Sequence, residues 1–116
     1  MTTRKIGREV EQALCAKLKR NGLKLISENY SCRLGEIDLI MVDGEDLVFI
    51  EVRYRSSNSY GGAQASISAG KQQRIIKAAK HFLMTHPEYT HFPARFDVYA
   101  AGSNGEPQWF KSAFTL

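Results

Sequence analysis

Asp38 and Glu51 lie thirteen positions apart in a stretch that reads as one β-hairpin. It runs Gly35-Glu36-Ile37-Asp38-Leu39-Ile40-Met41-Val42, then Asp43-Gly44-Glu45-Asp46, then Leu47-Val48-Phe49-Ile50-Glu51-Val52-Arg53. Two apolar, β-branched runs flank a polar turn with Asp-Gly, a strong hairpin signal. A four-residue loop closed by Val42 and Leu47 sets Asp38 opposite Glu51, and Glu36 opposite Arg53. Alternation puts all four on one face, with opposed β-carbons roughly 4.5–5.5 Å apart. Like charges that close destabilise a sheet, so something positive must compensate. A hard cation such as magnesium or manganese takes oxygen ligands and suits one or two carboxylates plus phosphate oxygens. That is the logic of a metal-dependent phosphodiesterase.

Acidic residues on a strand are also what a solvated sheet face looks like. Here the same face continues into Ile40, Val42, Leu47 and Phe49, and the other carries Ile37, Leu39, Met41, Val48, Ile50 and Val52. A strand apolar on both faces is covered on both sides, and charges on a covered sheet need partners.

The elements that position this hairpin follow from periodicity. Ile6, Val10, Ala13, Leu14 and Leu18 recur at helical spacing, which predicts a helix from residue 3 to about 21, stopped by Asn21-Gly22. Glu11 sits at the edge of that stripe, about 100° past Val10. Residues 24–30 read as a strand, followed by an irregular stretch over 31–35. Residues 54–69 read as a long loop rich in Ser, Gly, Asn and Ala, leaving from the acidic site. A second helix spans 69 to about 85, with Ile75, Ile76, Ala79, Phe82 and Leu83 on its apolar side. Its other side carries Lys71, Arg74, Lys77, Lys80 and His81, and no acid occurs between Glu51 and Glu88. An uncompensated basic face suits phosphate contact. Residues 95–101 and 108–110 read as final strands around a turn at 102–105. The order α-β-β-β-α-β-β predicts an α/β protein with a single mixed sheet flanked by helices, in one domain over residues 1–116.

Net charge is +4. The bases cluster before Lys24, at Arg53 and Arg55, and from Lys71 to Lys80, around the acidic hairpin. A negative site amid positive flanks fits a polyanionic partner. No apolar run approaches the roughly 20 residues of a membrane span, and the first residues lack a signal-peptide core, so a cytoplasmic protein is expected. Cys15 and Cys32 form no CxxC pair and are expected as buried thiols. His81, His86 and His91, each five apart, fit no zinc spacing.

The strings Gly35-Glu36-Ile37-Asp38-Leu39-Ile40, Val48-Phe49-Ile50-Glu51-Val52-Arg53-Tyr54-Arg55 and Arg95-Phe96-Asp97-Val98 together resemble the signature of the YraN family of small bacterial, endonuclease-like proteins. The resemblance runs from about Gly7 to Ala113. It implies the restriction-endonuclease-like fold, shared with archaeal Holliday-junction resolvases. Carried over position by position, the superfamily's acid on the first helix falls on Glu11, its strand Asp on Asp38, and its Glu-x-Lys on Glu51 and Arg53. The implied metal ligands for magnesium or manganese are Asp38 and Glu51, with the Val52 carbonyl as a further candidate. Position 53 departs from the pattern: arginine stays charged and cannot serve as a base, although it can stabilise charge on phosphate. Lys71 is the alternative lysine. The implied activity is phosphodiester hydrolysis of structured or single-stranded DNA, with Arg55, Lys71, Arg74 and Lys77 on the nucleic acid. No aromatic RNA-binding signature is present, and DNA is expected ahead of RNA. A homodimer is expected from the resolvases. The competing expectations are a non-catalytic nucleic-acid-binding or scaffold protein on the same fold, and a protein-interaction domain.

Overall fold

The computed structural model describes residues 3–55, 67–102 and 108–114; for 3–7, 54–55 and 101–102 it describes the backbone alone. The elements are α1 (Thr3–Arg20), β1 (Lys24–Cys32), β2 (Gly35–Asp43), β3 (Asp46–Arg55), α2 (Ala69–Thr85), β4 (Ala94–Gly102) and β5 (Gln108–Phe114), with a 3-10 turn at Pro87–Tyr89. The five strands form one mixed sheet in chain order. β3 and β4 run parallel and the other neighbours antiparallel. A parallel pair needs a crossover, and α2 lies within it.

The two helices cover opposite faces. Leu14, Cys15 and Leu18 of α1 pack with Leu39, Met41, Val48, Ile50 and Tyr99. Ile75, Ile76, Ala78, Ala79 and Phe82 of α2 pack with Ile37, Ile40, Leu47, Phe49 and Phe96. The expected stripe on α1 differs in one place: Ala13 is exposed and Cys15 is buried. The side chain of Ile6 lies outside the described residues. Cys32 is half-buried.

α1 stops where Asn21-Gly22 predicts. Gly22 has φ 96°; its amide donates to the Lys19 carbonyl, and the Leu23 amide to that of Leu18. This is a Schellman ending, and Leu18 and Leu23 are both buried around it. α2 begins at Ser68, whose hydroxyl accepts the Lys71 amide. The strands run longer than periodicity suggests. The stretch expected to be irregular continues β1 to Cys32, pairs it with Gly35 and leaves only Arg33-Leu34 as a turn. In the hairpin Val42 pairs with Leu47 as expected, and Asp43 pairs with Asp46 beyond it, so the turn is Gly44-Glu45. Of the loop expected over 54–69, residues 54–55 continue β3, Ala69 opens α2 and 56–66 lie outside the described residues; of the turn expected over 102–105, Gly102 ends β4 and 103–105 lie outside them.

Asp97 on β4 has no exposed surface. Both its oxygens accept from Arg95 Nε at 3.2 Å; Trp109 Nε1 donates at 2.8 Å and the Ser112 amide at 2.9 Å. Ser112 has φ 53°, and between Phe96 and Val98 the β4–β5 register shifts. The strand thus distorts where its amide turns from the ladder to the carboxylate. The remaining nitrogens of Arg95 reach Asp46 Oδ2 at 2.9 Å and Asp43 Oδ2 at 2.8 Å. One guanidinium therefore ties the tip of the β2–β3 hairpin to the sheet interior. Removing one partner of a buried ion pair costs about 3–5 kcal/mol, so Asp97→Ala is expected to lose that much stability, read as a lower denaturant midpoint. A loss under about 1 kcal/mol would mean that Asp97 does not anchor the network.

Candidate active site

The carboxylate pair lies where the hairpin ladder opens. Backbone pairing of β2 with β3 runs from Asp43 with Asp46 to Leu39 with Ile50. At the next step Asp38 Oδ2 accepts the Val52 amide at 2.8 Å. A side chain thus takes over a donor on the edge of β3. On the other side, Asn29 and Asp38 lie between the pairs Glu28 with Leu39 and Tyr30 with Ile37, and Asn29 has φ 53°, a conformation asparagine tolerates. β2 turns over here. Leu39 packs on the α1 side, whereas Ile37, two residues away, packs on the α2 side with Tyr30. Strict alternation puts Ile37 with Leu39; β2 departs from it at Asp38, beside the left-handed Asn29 of β1. Glu36 is exposed and pairs with Ser31, not with Arg53.

Glu51 is 5% exposed. Lys71 Nζ, from the first turn of α2, stands 2.7 Å from its Oε2, and Arg53 NH1 stands 4.0 Å from the same oxygen. Asp38 is half-buried. Its pKa is pushed up to about 8, first by burial, then by the Glu51 charge and a hydrogen bond with the Glu51 carboxyl; the Val52 amide pulls the other way and Glu11 adds a smaller push. In the protonated form Asp38 can donate to Glu51. Burial and the Glu51 charge also raise Glu11, against an Asn29 hydrogen bond and Arg8, which lower it. Glu11 lines a recess of about 200 Å³ with Arg8, Glu28, Asn29 and Leu39. It feels the pair electrostatically from a recess of its own. Among the described residues no group of three or more His, Cys, Asp or Glu side chains is arranged to hold a metal ion. The oxygen donors drawn together are the two carboxylates of Asp38 and Glu51.

Beside the pair, the β1–β2 turn and α2 enclose a cleft of about 350 Å³ that includes Arg33, Lys71 and Arg74. Arg74 and Lys77 are exposed on α2, and the side chain of Arg55 lies outside the described residues. Two participants escape a reading by periodicity. Asn29 carried only its turn preference as a signal, and Arg33 sat in a stretch that reads as irregular.

The fold and site define an α/β protein in which opposed strand carboxylates meet a lysine from the crossover helix. Residues 10–101 match the profile described as Uncharacterised protein family UPF0102, and the chain belongs to that family, as the YraN resemblance implies. It is 47% identical over 112 residues to a UPF0102 protein of Alcanivorax borkumensis, covering 93% of this chain and 90% of the relative. A UPF0102 protein of Legionella pneumophila strain Corby is 49% identical over 113 residues, covering 97% and 96%. One of Nitrosomonas europaea is 46% identical over 110 residues, covering 93% and 92%. No helix among the described residues is long and apolar enough to cross a membrane.

The raised pKa of Asp38 sets a pH dependence. Between the ordinary carboxyl value and about 8, the folded chain keeps a proton that the unfolded chain releases, so this group's contribution to stability falls as pH rises through that window. Asp38→Asn keeps an acceptor for the Val52 amide and removes the charge. It is expected to melt above the wild type at pH 9, with the gap narrowing towards pH 5; an equal gap at both pH values would refute the coupling.

Proposed function

We propose that the chain is a nuclease-like protein of restriction-endonuclease-like fold that binds DNA and hydrolyses its phosphodiester backbone with a divalent cation. The observation carrying this reading is the carboxylate pair, Asp38 with Glu51, drawn together under partial burial against mutual repulsion and faced by Lys71 at 2.7 Å. Repelling groups are kept in proximity where function requires it. The donor set fits magnesium or manganese, which accept one or two carboxylates alongside phosphate oxygens and water. Asp38 and Glu51 would hold the ion, which would polarise a phosphate and lower the pKa of a water. Arg53 keeps its charge and stabilises a phosphate rather than taking a proton. Lys71 supplies the nearest lysine, arriving from α2 where the superfamily pattern places one on the strand. Glu11 adds negative charge behind the pair, and Arg74 and Lys77 face the backbone of the bound strand.

A second reading, a non-catalytic nucleic-acid-binding protein, is favoured by one observation. Lys71 and Arg53 already place positive charge beside Glu51. Cleavage of labelled single strands, flaps and four-way junctions with magnesium or manganese separates the two. The expected result is wild-type cleavage that falls by about 10²-fold or more in Asp38→Asn and in Glu51→Gln, with manganese heat of binding lost in both. Full cleavage by both variants would remove the pair from the mechanism. Salt-dependent DNA binding without cleavage, in wild type and in Arg53→Lys alike, would establish the second reading.

A further inference from the structure

We propose that the cleft between the β1–β2 turn and the start of α2 seats one unpaired nucleotide of the strand that runs on to Asp38 and Glu51. The inference rests on the nucleic-acid reading above and adds the form of the substrate, single-stranded at this point. The cleft of about 350 Å³ lies at the small end of ligand pockets, a size for one nucleotide and not for a base pair with both backbones. Arg33 enters from the turn and Lys71 and Arg74 from α2, against one lining acid, the exposed Glu36, so three cations outweigh it from two elements, with Ile75 as an apolar wall. Phosphate and base thus each meet a suitable surface.

Leu34, at the tip of the turn beside Arg33, is 48% exposed, one of two large hydrophobics so exposed among the described residues. An apolar side chain at the mouth of a cationic cleft is suited to wedging between stacked bases. Lys71 lines the cleft and also contacts Glu51. A strand seated there therefore passes directly to the carboxylate pair.

The test is binding in metal-free buffer, so that cleavage plays no part. Labelled oligothymidylate, a matched duplex and free thymidine monophosphate are compared by fluorescence anisotropy. The wild type is expected to prefer the single strand. Arg33→Gln with Arg74→Gln is expected to weaken that binding about tenfold or more, and to lower the logarithmic salt slope by about 1.4, as for two phosphate contacts. Leu34→Ser is expected to narrow the preference over duplex. Arg33, Leu34 and Arg74 are exposed, and unchanged melting temperatures establish that the variants fold. Wild-type affinity and slope in the double variant would overturn the cleft while leaving the nucleic-acid reading intact, as would equal binding of duplex. Full displacement by thymidine monophosphate at oligonucleotide concentrations would make it a free-nucleotide site. No binding of any nucleic acid by the wild type, in this buffer or with calcium added, would overturn both readings.

Discussion

A carboxylate with no access to water must find its donors within the protein, and Asp97 imposes that requirement on two strands. It takes a guanidinium from its own strand, an indole from β5 and a main-chain amide that leaves the β5 ladder. The guanidinium in turn holds Asp43 and Asp46 at the hairpin tip. Hairpin register is set at the turn and transmitted by a period of two. A tip held in place therefore fixes the register as far as Leu39 and Ile50, the step before Asp38 and Glu51. The RFDV string, distinctive as a signature, has its physical explanation in this arrangement.

The same device appears at the site with a different outcome. Asp97 is matched by a surplus of donors, whereas Asp38 has the Val52 amide and a second carboxyl for company. In each place a non-glycine residue with positive φ, Ser112 or Asn29, lies where a strand departs from regular pairing. Such backbone costs of order 1–3 kcal/mol. At Ser112 the distortion completes an anchor. At Asn29 it accompanies a strand that turns over and leaves two acids facing each other. One network stabilises the sheet, and the other draws on that stability.

Much of this was legible in the residues. The Asp-Gly turn and apolar alternation located the hairpin register, because β-turn chemistry and a period of two are local. The helical stripes located α2 to the residue and α1 within one, with Asn21-Gly22 as the stop of α1. Alternation puts Ile37 on the face of Leu39 because it presumes a regular strand, and the departure of β2 at Asp38 has no periodic signature. Asp97 carried no sign of its burial, since its donors come from β5 and from a side chain two residues away. The contact of Lys71 with Glu51 spans twenty positions and a helix docking, so the lysine was visible as a candidate but its distance was not.

Gly35 opens β2 beneath α2, and a β-carbon there would lie 2.6 Å from the Arg74 carbonyl oxygen. The contact is main chain against main chain. Side chains change rotamer to admit a guest, but two hydrogen-bonded backbones do not yield in that way. The floor of the cleft is therefore rigid before anything enters it. A strand bound as proposed would meet a preformed floor, with little conformational entropy lost there on association. Adaptability is confined to the long side chains at the rim, which adjust charge placement without altering the shape beneath.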